Sequence, residues 1–403
     1  MNFMERKAEF ERYLDSGNLS LATRRAMDLA LDYQQLQSHL EAVTEVRAEY
    51  NRLRGLGQGE LDGTQKQKIT DGLQPFCAEL TSVKGEVGEL PHQQPIVVAE
   101  GRNLVKRYRQ GGHHFELGPI DLSLRSGEIT GVVGENGNGK TTLLRIFAGE
   151  TSADEGWPEY PGMVGDALTP YQIKQQVAFI PQRLRPWHGT LLQNLKYAAA
   201  NKGFHGEANE QRVNFVVHRL GLTRFQHLGW KQLSSGYKLR FELARMVVWR
   251  PRLLVLDEPI ANLDLNAQQQ FLQDLVHLAA SIRYPMGIVL SSQQLHQIEA
   301  VSEQIVFLRN GKPLFAGATK NVGSDRASNT FQVGGSFSLE NLLQATQGLP
   351  EIRVEESGTN FTVHTATAVN GRQLLETLFA ARLEVTFFRD ISFSTRQLLA
   401  QTL

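Results

Sequence analysis

The chain has 403 residues, 41% of them hydrophobic and 21% charged, a composition that suits two or three soluble domains able to bury a core. Its 42 basic and 42 acidic side chains cancel, so the basic surplus of a dedicated nucleic-acid binder is missing and no nucleic-acid partner is expected. Cys77 is the only cysteine, which excludes an intramolecular disulfide and a four-thiolate metal site.

The opening residues, MNFMERKAEFER, are charged throughout and lack the apolar core of a signal peptide. No run approaches the roughly 18 apolar residues of a bilayer span. A cytoplasmic chain is expected, held at the inner face of a membrane only through a partner. Ala22, Ala26, Leu29, Tyr33, Leu36, Leu40 and Val43 recur at steps of three and four and predict one amphipathic helix. Asn18 or Ser20 is positioned to cap it, and GLGQGELDG from Gly55 ends it. A second stripe runs Ile69, Leu73, Phe76, Leu80, Val83, Val87, Leu90, with a kink or break expected at Gly72 and Pro75. Residues 1–94 thus read as a helical extension, an antiparallel hairpin. Packing on its own chain is the plainer expectation and a docking arm for a partner the sharper one.

PHQQP (Pro91 to Pro95) marks a boundary, and alternating strand and helix signals from 95 to 317 give the α/β pattern of a nucleotide-binding core. Gly317 to Thr330 reads as a polar linker. The remainder of 318–403 reads strand, helix, two strands, helix, strand, the order of a small split β-α-β module of α+β type.

Within the core, GENGNGKTT follows the apolar strand EITGVVG and opens a helical run, the context that a phosphate loop requires. Gly134, Gly137 and Gly139 let the backbone turn its N–H groups toward phosphate, and Asn136 and Asn138 complete the cradle. Lys140 supplies a point charge for the β- and γ-phosphates of ATP, the Thr141 hydroxyl a Mg²⁺ ligand and Thr142 a further hydrogen bond. LLVLDEP is a buried strand ending in two acids. Asp257 is placed to hold Mg²⁺ through water, and Glu258 to accept a proton from an attacking water.

With LSSGYKLR (Leu233 to Arg240) just before that acidic strand, the chain resembles the ATP-binding-cassette (ABC) ATPases over roughly Ile96 to Gly317. The resemblance implies a P-loop NTPase core with a helical subdomain, and two cassettes pairing head to tail, here as a homodimer. Ser234, Ser235 and Gly236 would then close on the ATP held by the other copy. It further implies that Tyr108 stacks on adenine, that Gln182 touches Mg²⁺ and water, and that Asp264 communicates between the two sites. RLRPWHGTLLQNL, with Trp187, would receive a membrane partner's coupling helix.

Three positions depart from the family pattern. Ser235 and Tyr237 replace the usual Gly and Gln of the signature, and Gln293 in VLSSQQLHQIE stands where a histidine is usual. Glutamine donates a hydrogen bond but cannot become cationic. His296 lies three residues on, about one helical turn, within approach of the site, and a solvated helix position is the plainer expectation for it. The expected function is the ATP-hydrolysing subunit of an ABC transporter, exporter-type by its C-terminal module, working with separate membrane-spanning subunits. Its catalytic residues are Glu258, Gln293 and Lys140. The alternatives are a soluble ABC ATPase on ribosomes or DNA and a slow ATP-binding switch.

Overall fold

A computed structural model describes residues 2–56, 61–83, 95–110, 113–165, 168–321, 328–358 and 360–392. The PHQQP boundary, apart from Pro95, the centre of the loop after Gly55 and the middle of the linker lie outside the described residues. Two compact units form: Met1–Gln293 with Val301–Ala316, and Gln294–Ala300 with Gly317–Leu403.

The first unit is built on a six-stranded sheet. Its order is Val177–Ile180, Leu253–Leu256, Gly287–Ser292, Ile129–Val133, Gln304–Arg309, Lys312–Ala318. The first five strands run parallel. Three of them, Ile129–Val133, Leu253–Leu256 and Gly287–Ser292, are buried at every residue. Burial on both faces is why they read as continuous apolar runs rather than alternating ones. An antiparallel sheet of Val97–Gln110, His113–Arg125 and Pro158–Glu159 packs its apolar side into the same core as helix Lys140–Phe147.

The helical extension belongs to this unit as well. Instead of two helices it contains, among the described residues, four: Phe3–Asp15, Leu19–Asp32, Leu40–Leu56 and Gly63–Ser82, with a 3-10 turn at Gln34–His39. Asn18 caps the second as expected, its side chain accepting from the Leu21 N–H at 3.3 Å. The first apolar stripe is split at Tyr33, whose extended backbone (ψ 121°) stops the helix. Of the kink or break expected at Gly72 and Pro75, the break does not occur. Helix Gly63–Ser82 runs through Pro75, with Leu73, Phe76 and Leu80 buried around it, so packing offsets the roughly 3 kcal/mol that an internal proline costs. Gly72 is there for close approach: a Cβ would lie 2.8 Å from Val46 Cγ2 on the neighbouring helix.

The extension packs on its own chain. Asp28 accepts both Nε (2.7 Å) and Nη2 (3.0 Å) of Arg219, and Arg24 donates to Asp274 at 2.9 Å. Arg47 donates to the His218 carbonyl at 3.1 Å, and the Ser281 hydroxyl to Asp32 at 2.7 Å. Inside the extension, Arg6 pairs with Asp32 and Arg25 with Glu9. The buried pairs Asp28–Arg219 and Arg24–Asp274 join the extension to helices Gly206–Arg219 and Leu265–Ala279 of the cassette.

The second unit holds four antiparallel strands in the order Arg353–Ser357, Asn360–Ala366, Ser328–Gly335, Val385–Asp390, with helices Leu339–Thr346 and Gly371–Ala380. Phe331, Val333 and Val363 from the strands meet Leu342, Leu374 and Leu378 from the helices in its core. The short helix Leu295–Glu299 also falls in this unit. Among the described residues no helix is long and apolar enough to cross a membrane.

Candidate functional site

Parallel register brings four strand ends into one row. Val133 pairs with Ser292, Leu256 with Leu290, and Ile180 with Leu256. The segments leaving those ends are the phosphate loop, Gln293, Asp257 with Glu258, and Gln182. Carboxyl ends of strands are where open α/β sheets bind ligands.

The loop leaves Val133 and enters helix Lys140–Phe147 through Gly139, which has φ 95°. A side chain at Gly139 would meet Leu117 at 2.7 Å and Phe115 at 3.0 Å, and one at Gly134 would meet the Leu308 carbonyl oxygen at 2.5 Å. Both positions therefore need glycine for closeness as well as for conformation. The buried Lys140 ammonium donates to the carbonyls of Gly134 (2.7 Å) and Glu135 (3.0 Å) and pairs with Glu258 Oε1 at 3.0 Å. The Thr141 hydroxyl donates to Asp257 Oδ2 at 2.8 Å.

Glu258 is the centre of the constellation. Its Oε2 accepts from Gln182 Nε2 at 2.9 Å and from Gln293 Nε2 at 3.0 Å. Its backbone lies in the left-handed region at φ 45°, a conformation that costs about 1–3 kcal/mol for a residue with a side chain. Ser291 braces it. The Ser291 hydroxyl accepts the Glu258 N–H at 2.8 Å and donates to Asp257 Oδ1 at 2.8 Å. Ser291 was missed in the sequence, although the Ser pair before Gln293 was the available signal.

Other expected site residues are placed differently. Asn136 is exposed, while Asn138 is buried and its oxygen accepts the Asn310 N–H at 2.8 Å, pinning the loop to a neighbouring turn. Thr142 lies in the first turn of the helix. Tyr108 is exposed on the antiparallel sheet, its ring 6.5 Å from Phe115, which itself flanks Gly139. Ser234 caps helix Ser235–Val247 and Asp264 caps Leu265–Ala279. No hydrogen bond among the described residues joins Ser234, Ser235 or Gly236 to the phosphate loop of the same chain. Tyr237 packs on Phe225, with ring centroids 3.9 Å apart. Trp187 is turned inward against Trp230 (5.3 Å) and Phe241 (5.7 Å). His296 falls in the second unit.

Among the described residues no three His, Cys, Asp or Glu side chains form a metal cluster. The oxygens of Thr141, on the helix after the loop, and of Asp257 and Gln182, just past their strand ends, are instead hard donors, a set that fits Mg²⁺, which takes few carboxylates and keeps waters.

The model of the ABC transporter family matches residues 117–261. The probable sulfate/thiosulfate import ATP-binding protein CysA of Chlorella vulgaris is 29% identical over 57% of this chain and 94% of its own length. The methionine import ATP-binding protein MetN 2 of Listeria innocua is 28% identical over 52% of this chain and 63% of its own length. Among solved structures, cbiO1 from Clostridium perfringens, part of the ABC transporter complex cbiONQ, superposes with a TM-score of 0.51 at 20% identity. It covers 63% of this chain and 96% of that one. The core has the ABC ATPase fold, and over it the chain is similar to the ABC transporter family and to import ATP-binding proteins.

Proposed function

We propose that two copies of this cassette close on two ATP molecules and that hydrolysis by Glu258 reopens them, driving transport by separate membrane-spanning subunits. The observation that carries the reading is the position of Glu258 among Lys140, Gln182 and Gln293, beside the Thr141–Asp257 pair. Lys140 exchanges its backbone carbonyl partners for the β- and γ-phosphates. Thr141, Asp257 and Gln182 would hold Mg²⁺, which neutralises the charge that develops on the phosphates. A water attacks the γ-phosphorus, its proton passes to the Glu258 carboxylate, and the bond to the bridging oxygen of ADP breaks. Tyr108 would receive the adenine, and Ser234, Ser235 and Gly236 the γ-phosphate of the partner's ATP at a helix N-terminus. Asp264, capping the next helix, lies on the path between the two sites.

Location at the inner face of a membrane, through the partner, follows from this reading. The exporter-type expectation finds no support: the two relatives compared above are import proteins by name. Glu258→Gln tests the proposal. Turnover should fall by about 10²–10⁴ while ATP binding persists, and the variant should elute as an ATP-dependent dimer. An undiminished rate, or a monomer at saturating ATP, refutes it.

A further inference from the structure

A cavity of about 330 Å³ lies between the helical extension and the cassette, and none of the nucleotide-site residues lines it. Its walls are mainly apolar, with Leu31 and Leu40 from the extension and Phe215, Val216 and Val248 from the cassette. Two carboxylates reach it, and both are engaged. Asp28 is held by Arg219, and Asp32 by Arg6 and the Ser281 hydroxyl.

Two cations on its wall have no such partner. The Arg212 guanidinium lies 3.7 Å over the Phe204 ring, and its Nη1 is buried without a hydrogen bond. The Arg250 guanidinium lies 3.3 Å over Tyr284. Among the described residues neither meets a carboxylate within ion-pair distance. Burial and the neighbouring Arg212 push Arg250 down to about 10. Arg250 also has φ 56°, a backbone conformation uncommon for a residue with a side chain. Two like charges facing an apolar cavity are costly unless an anion completes them.

We propose that this cavity binds a small amphipathic carboxylate, its head held by Arg212 and Arg250 and its apolar body lying along Leu31, Phe215 and Val216. The two planar forks match a carboxylate, and apolar walls with a few convergent polar groups are the usual form of a small-molecule site. The ligand would touch the extension and the segment that ends the signature helix at once.

Calorimetric titration of the full chain with decanoate, decanol and inorganic phosphate tests this. Decanoate should saturate one site, with the other two roughly tenfold weaker or worse. The Arg212→Gln/Arg250→Gln variant should lose decanoate to a similar degree. Ala208→Trp, at the exposed rim, should block entry while leaving both arginines in place, and it decides the matter if the double variant does not fold. No saturable decanoate binding, binding unaltered in the folded variants, or phosphate binding as tightly as decanoate overturns the proposal.

Discussion

Gln293 donates to the carboxylate of the residue proposed as general base, and so does Gln182. Both hold the acceptor without adding charge. In place of Gln293 a protonated histidine would bring its own charge to the γ-phosphate, a gain over the neutral amide of about 1–2 kcal/mol. At 1.36 kcal/mol per decade the difference is about five- to thirty-fold in rate. Gln293→His should therefore raise kcat with little change in ATP affinity where chemistry limits turnover, and Gln293→Ala should lower it. Single-turnover rates at saturating ATP decide. A histidine variant slower than the parent would mean that the amide orients the attacking water, as a glutamine does in small GTPases.

Helices Leu19–Asp32 and Leu265–Ala279 face each other with buried charges, and that geometry governs how the extension behaves as an element. Arg219, fully within the core, has Asp28 as its bidentate partner. Removing one member of a buried pair typically costs 3–5 kcal/mol, because the other charge stays buried. Asp28→Asn should accordingly lower the unfolding free energy by about that amount in urea titrations. Loss of residues 1–94 should leave no soluble ATPase, since Arg219 and Asp274 would lose Asp28 and Arg24 together. A truncated chain with full activity would instead make the extension a separable arm.

For the molecule as a whole, the same charges set the response to acid. Burial alone would raise Glu9, but His277, Arg25 and Tyr13 more than offset it and hold its carboxyl at about 2 against an ordinary 4.5. Asp28 is likewise held low by Arg219, His277 and Arg25 against full burial. Groups depressed in the fold stabilise it fully above their unfolded range and lose that contribution as pH falls toward the folded value. Melting temperature should thus drop between pH 4.5 and 2, and Glu9→Gln should melt lower at pH 7 with a shallower acid slope. Equal slopes would show that Glu9 takes no part. The phosphate loop, the acidic strand and the element order of the second unit were legible in the sequence because each is written in contiguous residues whose spacing sets local geometry. Their meeting at one row of strand ends follows from parallel register. The clamp of the extension, the inward turn of Trp187, the brace of Ser291 and the bonding of Gln293 to Glu258 depended on tertiary structure alone. Each joins side chains distant in sequence, and no local periodicity encodes which buried charge or ring will find which partner.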